Sequence, residues 1–260
     1  MALFNWENDI AQRGTPVPIR ETARVIPGMI ELPRRKIIAI QTICILSLVM
    51  LSLAGQVVRY QFNRPFALGF IDFFYVDLEN NLPTWYQSVN FLLAAFLLGM
   101  LFHSTRRMSE RFARHWGLLA LGFVYLSLDE MASLHERLIN PLQRIIQPSG
   151  AWAPTWVIVG LIGAAVAAVY FLPFILHLPH RAKLQAIAAA GLFLGGAIGV
   201  EMWTATMFDT TDLNFKNSFR YALMAHAEEL LEMIGLLVFI DLLLRLAEQK
   251  PPVCIGISGR

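Results

Sequence analysis

Charge is scarce in this chain. Asp, Glu, Lys and Arg together make up 15% of its 260 residues, against about a quarter in soluble globular domains. Hydrophobic residues make up 56% and the mean hydropathy is +0.53, which excludes an ordinary water-soluble domain. Cysteine is nearly absent. Cys44 and Cys254 are the only two; they fall on opposite sides of the expected membrane, which excludes a disulfide framework, and Cys254 alone is a weak lipidation signal. The first 35 residues contain no apolar core of a signal peptide and no small-residue cleavage site, so a polar tail is expected there. A formal net charge of +2 makes no basic field, and nucleic acid is excluded as a partner. No internal repeat or long linker divides the chain, which predicts one helical domain.

Long apolar runs are what the sequence does have. A helix needs about 20 such residues to cross roughly 30 Å of hydrocarbon, and six windows meet that length: 37–58, 84–103, 116–136, 155–178, 184–207 and 218–246. Positive charge orients them. Of the 21 Lys and Arg, 15 lie before the first window, between the second and third, between the fourth and fifth, or at the end of the sixth and beyond it, so both termini are expected in the cytoplasm. The fold class is therefore all-α: a polytopic bundle of about six transmembrane helices over residues 36–247, with cytoplasmic tails at 1–35 and 248–260, expected in a bacterial inner (plasma) membrane. Membrane lipids are the expected surroundings, with a lipid substrate or a membrane-protein partner as further expectations.

Against that background the polar residues inside the windows carry information. "SLDEMASLHE" (127–136) ends the third window, Glu201 stands near the end of the fifth, and "AHAEELLEMIG" (225–235) opens the sixth. With the expected topology all three stretches share the outer side, and at about 1.5 Å per residue His226 to Glu232 cover only about 9 Å of depth. Three helices thus bring their acids to one layer. Ionised side chains at membrane depth are costly unless paired, hydrated or metal-bound. The two nearby cations, Arg137 and Arg220, are outnumbered by the acids.

A divalent metal would use both the carboxylates and the histidines, and Asp, Glu and His together suit zinc, iron or manganese. Helix geometry puts Asp129 and Glu136, seven residues apart, on one stripe with Ser133 between them. The expected ligands are Asp129, Glu136, His226 and Glu232, with Glu229 as base and Ser127 as a catalytic hydroxyl. Glu201 is expected to support them, and Glu79, Glu130, His135 and Glu228 are the alternates. Ser88 is a candidate hydrogen-bond donor. HExxH is absent, and the His226-x-x-Glu229 spacing reverses the ExxH of di-iron bundles. Gly191, Gly195 and Gly199 form a small-xxx-small series expected to receive a neighbouring helix. Asp209, Thr210, Thr211 and Asp212 are expected to cap the sixth helix.

"ENNLPTW" (79–85), "SLDEMASLHE" and "EELLEMIG" (228–235) together resemble a bacterial family of multi-pass membrane proteins of uncharacterised activity, over residues 79–235. More distantly, Ser127, Asp129, His135 and His226 resemble the residue types of alkaline ceramidase-like membrane hydrolases, which implies a zinc site and lipid amide hydrolysis. The paired histidines of that family's last span are replaced here by His226 and three glutamates. A proton- or cation-coupled transporter and a non-catalytic subunit of a membrane complex are the alternative expectations. The apolar inner halves of the windows, such as "HWGLLALGFVYL", argue against a polar path through to the cytoplasm.

Overall fold

A computed structural model describes residues 33–64, 67–146, 148–208 and 215–250. Most of both expected tails, Cys254 and the 209–212 capping stretch lie outside the described residues. The described residues contain helices and no strand. The long helices are α1 (Arg34–Gln61), α3 (Leu82–Arg107), α4 (Ala113–Ala132), α6 (Trp156–His177), a segment formed by α7 (His180–Leu194), a π turn (Gly195–Val200) and α8 (Glu201–Phe208), and α9 (Phe219–Glu248). Two short helices, α2 (Phe70–Phe74) and α5 (Leu134–Ile146), lie in the connections.

Four of these, α1, α3, α6 and the α7–α8 segment, are long and apolar enough to cross a membrane, and α4 with α5 makes a fifth if that bent pair is taken as one span. The α9 helix has 30 residues and carries the acids that lower its hydropathy. It nevertheless runs beside α1 through the same depth, because Arg34 at the start of α1 bonds Asp241, while His226 and Tyr221 meet Tyr75 and Asp77 in the connection that follows α1. The same holds for α4, which packs along α3 from the Gly117–Phe102 contact to the Ser88–Ser127 contact.

The central helix is α9, which packs on α1, α3, α7 and the π turn. Its closest approaches are made by glycines. A Cβ at Gly235 would lie 2.7 Å from Phe193 N, and one at Gly196 would lie 2.6 Å from Glu228 O, so α9 can sit this near to α7 and the π turn only where both side chains are missing. The expected glycine series does not make these contacts: a Cβ at Gly191, Gly195 or Gly199 would meet nothing within 4 Å. The π turn, with i→i+5 bonding, re-aims the face and brings Gly196 to α9. A core of Leu98, Leu101, Leu236, Ile240 and Leu243 fills the inner half of the bundle.

The third window is not one straight helix. It ends at Ala132, Ser133 takes a left-handed conformation (φ 49°, ψ 46°), and α5 leaves at 75°. Leu134, Leu138, Ile139 and Leu142 alternate on α5 with Glu136, Arg137, Asn140 and Arg144, the pattern of a helix lying in a membrane interface. The expected Asp129–Ser133–Glu136 stripe is therefore lost, because those residues belong to two helices.

Candidate metal centre

The break at Ser133 is built from the side chain of Asp129. Its Oδ1 accepts the backbone N–H of His135 at 2.8 Å, which satisfies one of the donors left unpaired at the first turn of α5. Its Oδ2 lies 3.0 Å from His135 Nδ1. One carboxylate thus fixes both the start of α5 and the plane of an imidazole. The ring also leans on Trp156, 4.9 Å between centroids.

Opposite the break stands the turn that precedes α3. Asn81 caps α3 by accepting from Thr84 N at 3.1 Å, and its amide donates to Tyr75 O at 2.6 Å and Asp72 O at 3.2 Å. Asn80 takes a left-handed φ of 60°, a conformation that Asn tolerates. Pro83 follows at the helix start, where a missing N–H costs nothing. This locked turn presents Glu79, whose side chain hydrogen-bonds Ser133. Its Oε2 is buried without a partner.

Glu79, His135 and Glu136 each offer one ligand atom, and all three atoms lie within 4.8 Å of one another. Among the described residues this is the one group of three or more such side chains. Burial and then the charge of Glu136 raise the Glu79 pKa above the usual carboxylate range. At His135 burial pulls the pKa down, but the bond and charge of Asp129, with Glu136 and Glu79, outweigh it and the net shift is upward. Both groups feel the negative charge of neighbouring carboxylates, Glu79 after the larger effect of burial.

The expected residues therefore divide into separate places. Glu136 joins the group, together with the alternates Glu79 and His135. Asp129 is adjacent but committed to His135. His226 and Glu232 do not complete a group with Glu136: His226 is buried on α9 with Nδ1 2.6 Å from Ala222 O, its ring beside Tyr75 and its Nε2 without a partner. Glu228 and Glu232 pack against the π turn at Gly196, with Glu201 in electrostatic reach of both. Glu229 interacts with Glu232, Glu130 and Glu228 and is not one of the three converging ligands. Glu130 interacts with Glu79, His135 and Asp129 as well as with Glu229 and Glu232, and Glu232 in turn interacts with Glu79. Ser127 is buried and exchanges hydrogen bonds with Ser88, Oγ to Oγ 2.8 Å and Oγ to Ser88 O 3.0 Å. Both hydroxyls thereby fasten α3 to α4.

Residues outside the expectation also prove polar and internal. Tyr221 Oη donates to Asp77 at 3.3 Å. Gln56 and Gln87 are 0% and 1% exposed, with neither amide bonded to protein. A single amide in an apolar run was their one visible sign.

The chain belongs to the family described as domain of unknown function DUF8692, which matches residues 42–246 and so takes in the Glu79 turn, the Ser133 break and most of α9. No curated protein and no solved structure matches it.

Proposed function

We propose that this protein is an integral membrane metalloenzyme of a bacterial plasma membrane, using a divalent metal held by Glu79, His135 and Glu136 to hydrolyse a lipid or other amphiphile at the outer face. The convergence of those three ligand atoms is the observation that carries this reading. Three protein ligands leave a fourth position for water or substrate, the form of a catalytic rather than a structural zinc site. Asp129 supplies the outer carboxylate that orients a metal-binding imidazole and sets its tautomer. A metal held by these residues would lower the pKa of a bound water. Glu130, which feels the charge of Glu79 and His135 but stands outside the ligand group, is the carboxylate we assign to take the proton.

The surroundings support an amphiphilic substrate. The site lies where a spanning helix turns into an interfacial one, the depth at which lipid headgroups meet water. Zinc, iron and manganese all suit one imidazole and two carboxylates.

The test uses purified full-length protein loaded with zinc or manganese and presented with ceramide, phospholipid and N-acyl amphiphiles in mixed micelles. Product release is followed by mass spectrometry. Turnover abolished by chelation, by His135→Ala and by Glu130→Gln is the expected outcome. Metal-loaded protein that cleaves none of the three classes contradicts the hydrolase reading.

A further inference from the structure

A second polar feature lies deeper than the metal centre and does not depend on it. On α1, Arg34, Gln41, Ile45, Ser52 and Gln56 fall at intervals of seven, four, seven and four, a single helical stripe. That stripe faces α9 at one end, where Arg34 bonds Asp241, and α3 in the middle, where Gln41 Nε2 donates to Asn90 Oδ1 at 2.6 Å. Asn90 Nδ2 donates to Tyr86 O at 2.9 Å, and the Tyr86 hydroxyl returns to Gln41 Oε1. Three polar side chains thus close a ring in the membrane interior.

Beside this ring is a cavity of about 10 Å³, lined by Gln41, Tyr86, Gln87 and Asn90 on one side and by Met233 and Ile240 among the residues of α9. That is the size at which a buried site accepts one water. Gln87 lines it, is 1% exposed, and has no hydrogen bond at either amide atom. Interhelical amides in membranes normally bond a neighbouring helix, and Gln41 and Asn90 do so here. Gln87 does not, so a water is the partner that its position provides.

The depth of the cavity gives it a further meaning. Met233, Leu236, Leu237 and Ile240 are its α9 lining. Glu229 lies four residues before Met233 on the same stripe, and Asp241 lies four after Leu237. The cavity thus occupies the interval between the outer acid layer and the inner network, in which Asp241 bonds Arg34 at 2.7 Å and Gln185 at 2.9 Å, and Arg245 bonds Gln185. Along α9 that interval is about 18 Å, and Glu232, Gln87 and the Gln41–Tyr86–Asn90 ring are polar groups within it.

We propose that the seam between α1, α3 and α9 is a proton path, in which a water bound by Gln87 beside the Gln41–Tyr86–Asn90 ring connects the cytoplasmic Arg34–Asp241 pair to Glu229 in the outer layer. The α9 wall of the cavity is apolar, which favours protons passed along hydrogen bonds over hydrated metal ions.

The experiment reconstitutes the full chain in phosphatidylcholine vesicles containing a pH-sensitive dye and follows lumenal pH under a potassium diffusion potential. Flux several-fold above protein-free vesicles, reduced to that background in Gln87→Leu, is expected. In parallel, radiolytic oxidation of Met233, which is 2% exposed, reports a water held against it in the wild type. Its labelling is expected despite that burial. Flux no greater than background, flux unchanged in a folded Gln87→Leu variant, or an unlabelled Met233 each overturns the path, and labelling without flux reduces the water to a structural one.

Discussion

Asp129 holds His135 twice, through the backbone N–H at 2.8 Å and through ring Nδ1 at 3.0 Å. The two bonds tie a local break in the chain to the aim of one imidazole. Asn at position 129 keeps the shape but loses the charge and one acceptor. Asp129→Asn is predicted to weaken metal binding at Glu79, His135 and Glu136 about 10- to 100-fold, the usual cost of losing a carboxylate behind a ligating histidine. Competition with a chromogenic chelator measures it, and unchanged affinity would separate Asp129 from the metal.

The pH dependence of binding follows from the same pair. The His135 pKa is raised, with burial opposed and outweighed by Asp129, Glu136 and Glu79, so the ring keeps its proton above the ordinary value of about 6.5. A metal must expel that proton. Affinity is predicted to fall as pH drops through this raised value, and to fall again as Glu79, also raised by burial and Glu136, gains its proton. Without metal the sign reverses: the Asp129–His135 pair stabilises the fold fully below about pH 6.5, and that contribution is lost as pH rises through the raised value. Chelator competition and thermal unfolding over the same pH series check both slopes, and parallel slopes would refute the assignment.

Close helix approach predicts which glycines matter. Gly235→Ala and Gly196→Ala each place a methyl under 3 Å from backbone, and each is expected to destabilise by about 1–3 kcal/mol, the range for overpacking. Gly191→Ala and Gly199→Ala meet open space and are expected to leave thermal stability unchanged or slightly raised. Melting temperatures in one detergent decide this, and equal losses at all four positions would contradict the packing described.

At the start of α1, Arg34 and Asp241 bond at 2.7 Å with side chains 27% exposed. A double-mutant cycle with Arg34→Ala and Asp241→Ala should give a coupling of about 1 kcal/mol, at the upper end for pairs that water reaches. A coupling indistinguishable from zero would remove this pair as the anchor of α1 to α9.

These comparisons show what apolar length and charge can reveal and what they cannot. Helix positions were legible because about 20 apolar residues have one use in a membrane; α6, expected at 155–178, is Trp156–His177. The break at Ser133 was not, since "SLDEMASLHERL" keeps a helical period through it and the device that breaks it is a side chain reaching six residues ahead. Losing that break misplaced Asp129 on a stripe with Glu136 and left Glu79 and His135 as alternates. The glycine series misled for a related reason: a π turn changes the register partway along, and Gly196 rather than Gly195 meets α9. The acidic layer itself was legible from topology, for Glu130 interacts with Glu79 as well as with Glu229 and Glu232.

Metal content tests the central claim most directly. Full-length protein purified in detergent without chelator would be assayed by inductively coupled plasma mass spectrometry, beside His135→Ala and Glu79→Gln variants shown to be folded by their thermal transitions. Near-stoichiometric zinc, iron or manganese in the wild type and its loss in both variants is the predicted result. A wild type that neither carries metal nor takes up added zinc or manganese, or variants that retain it in full, would contradict a metal centre at Glu79, His135 and Glu136.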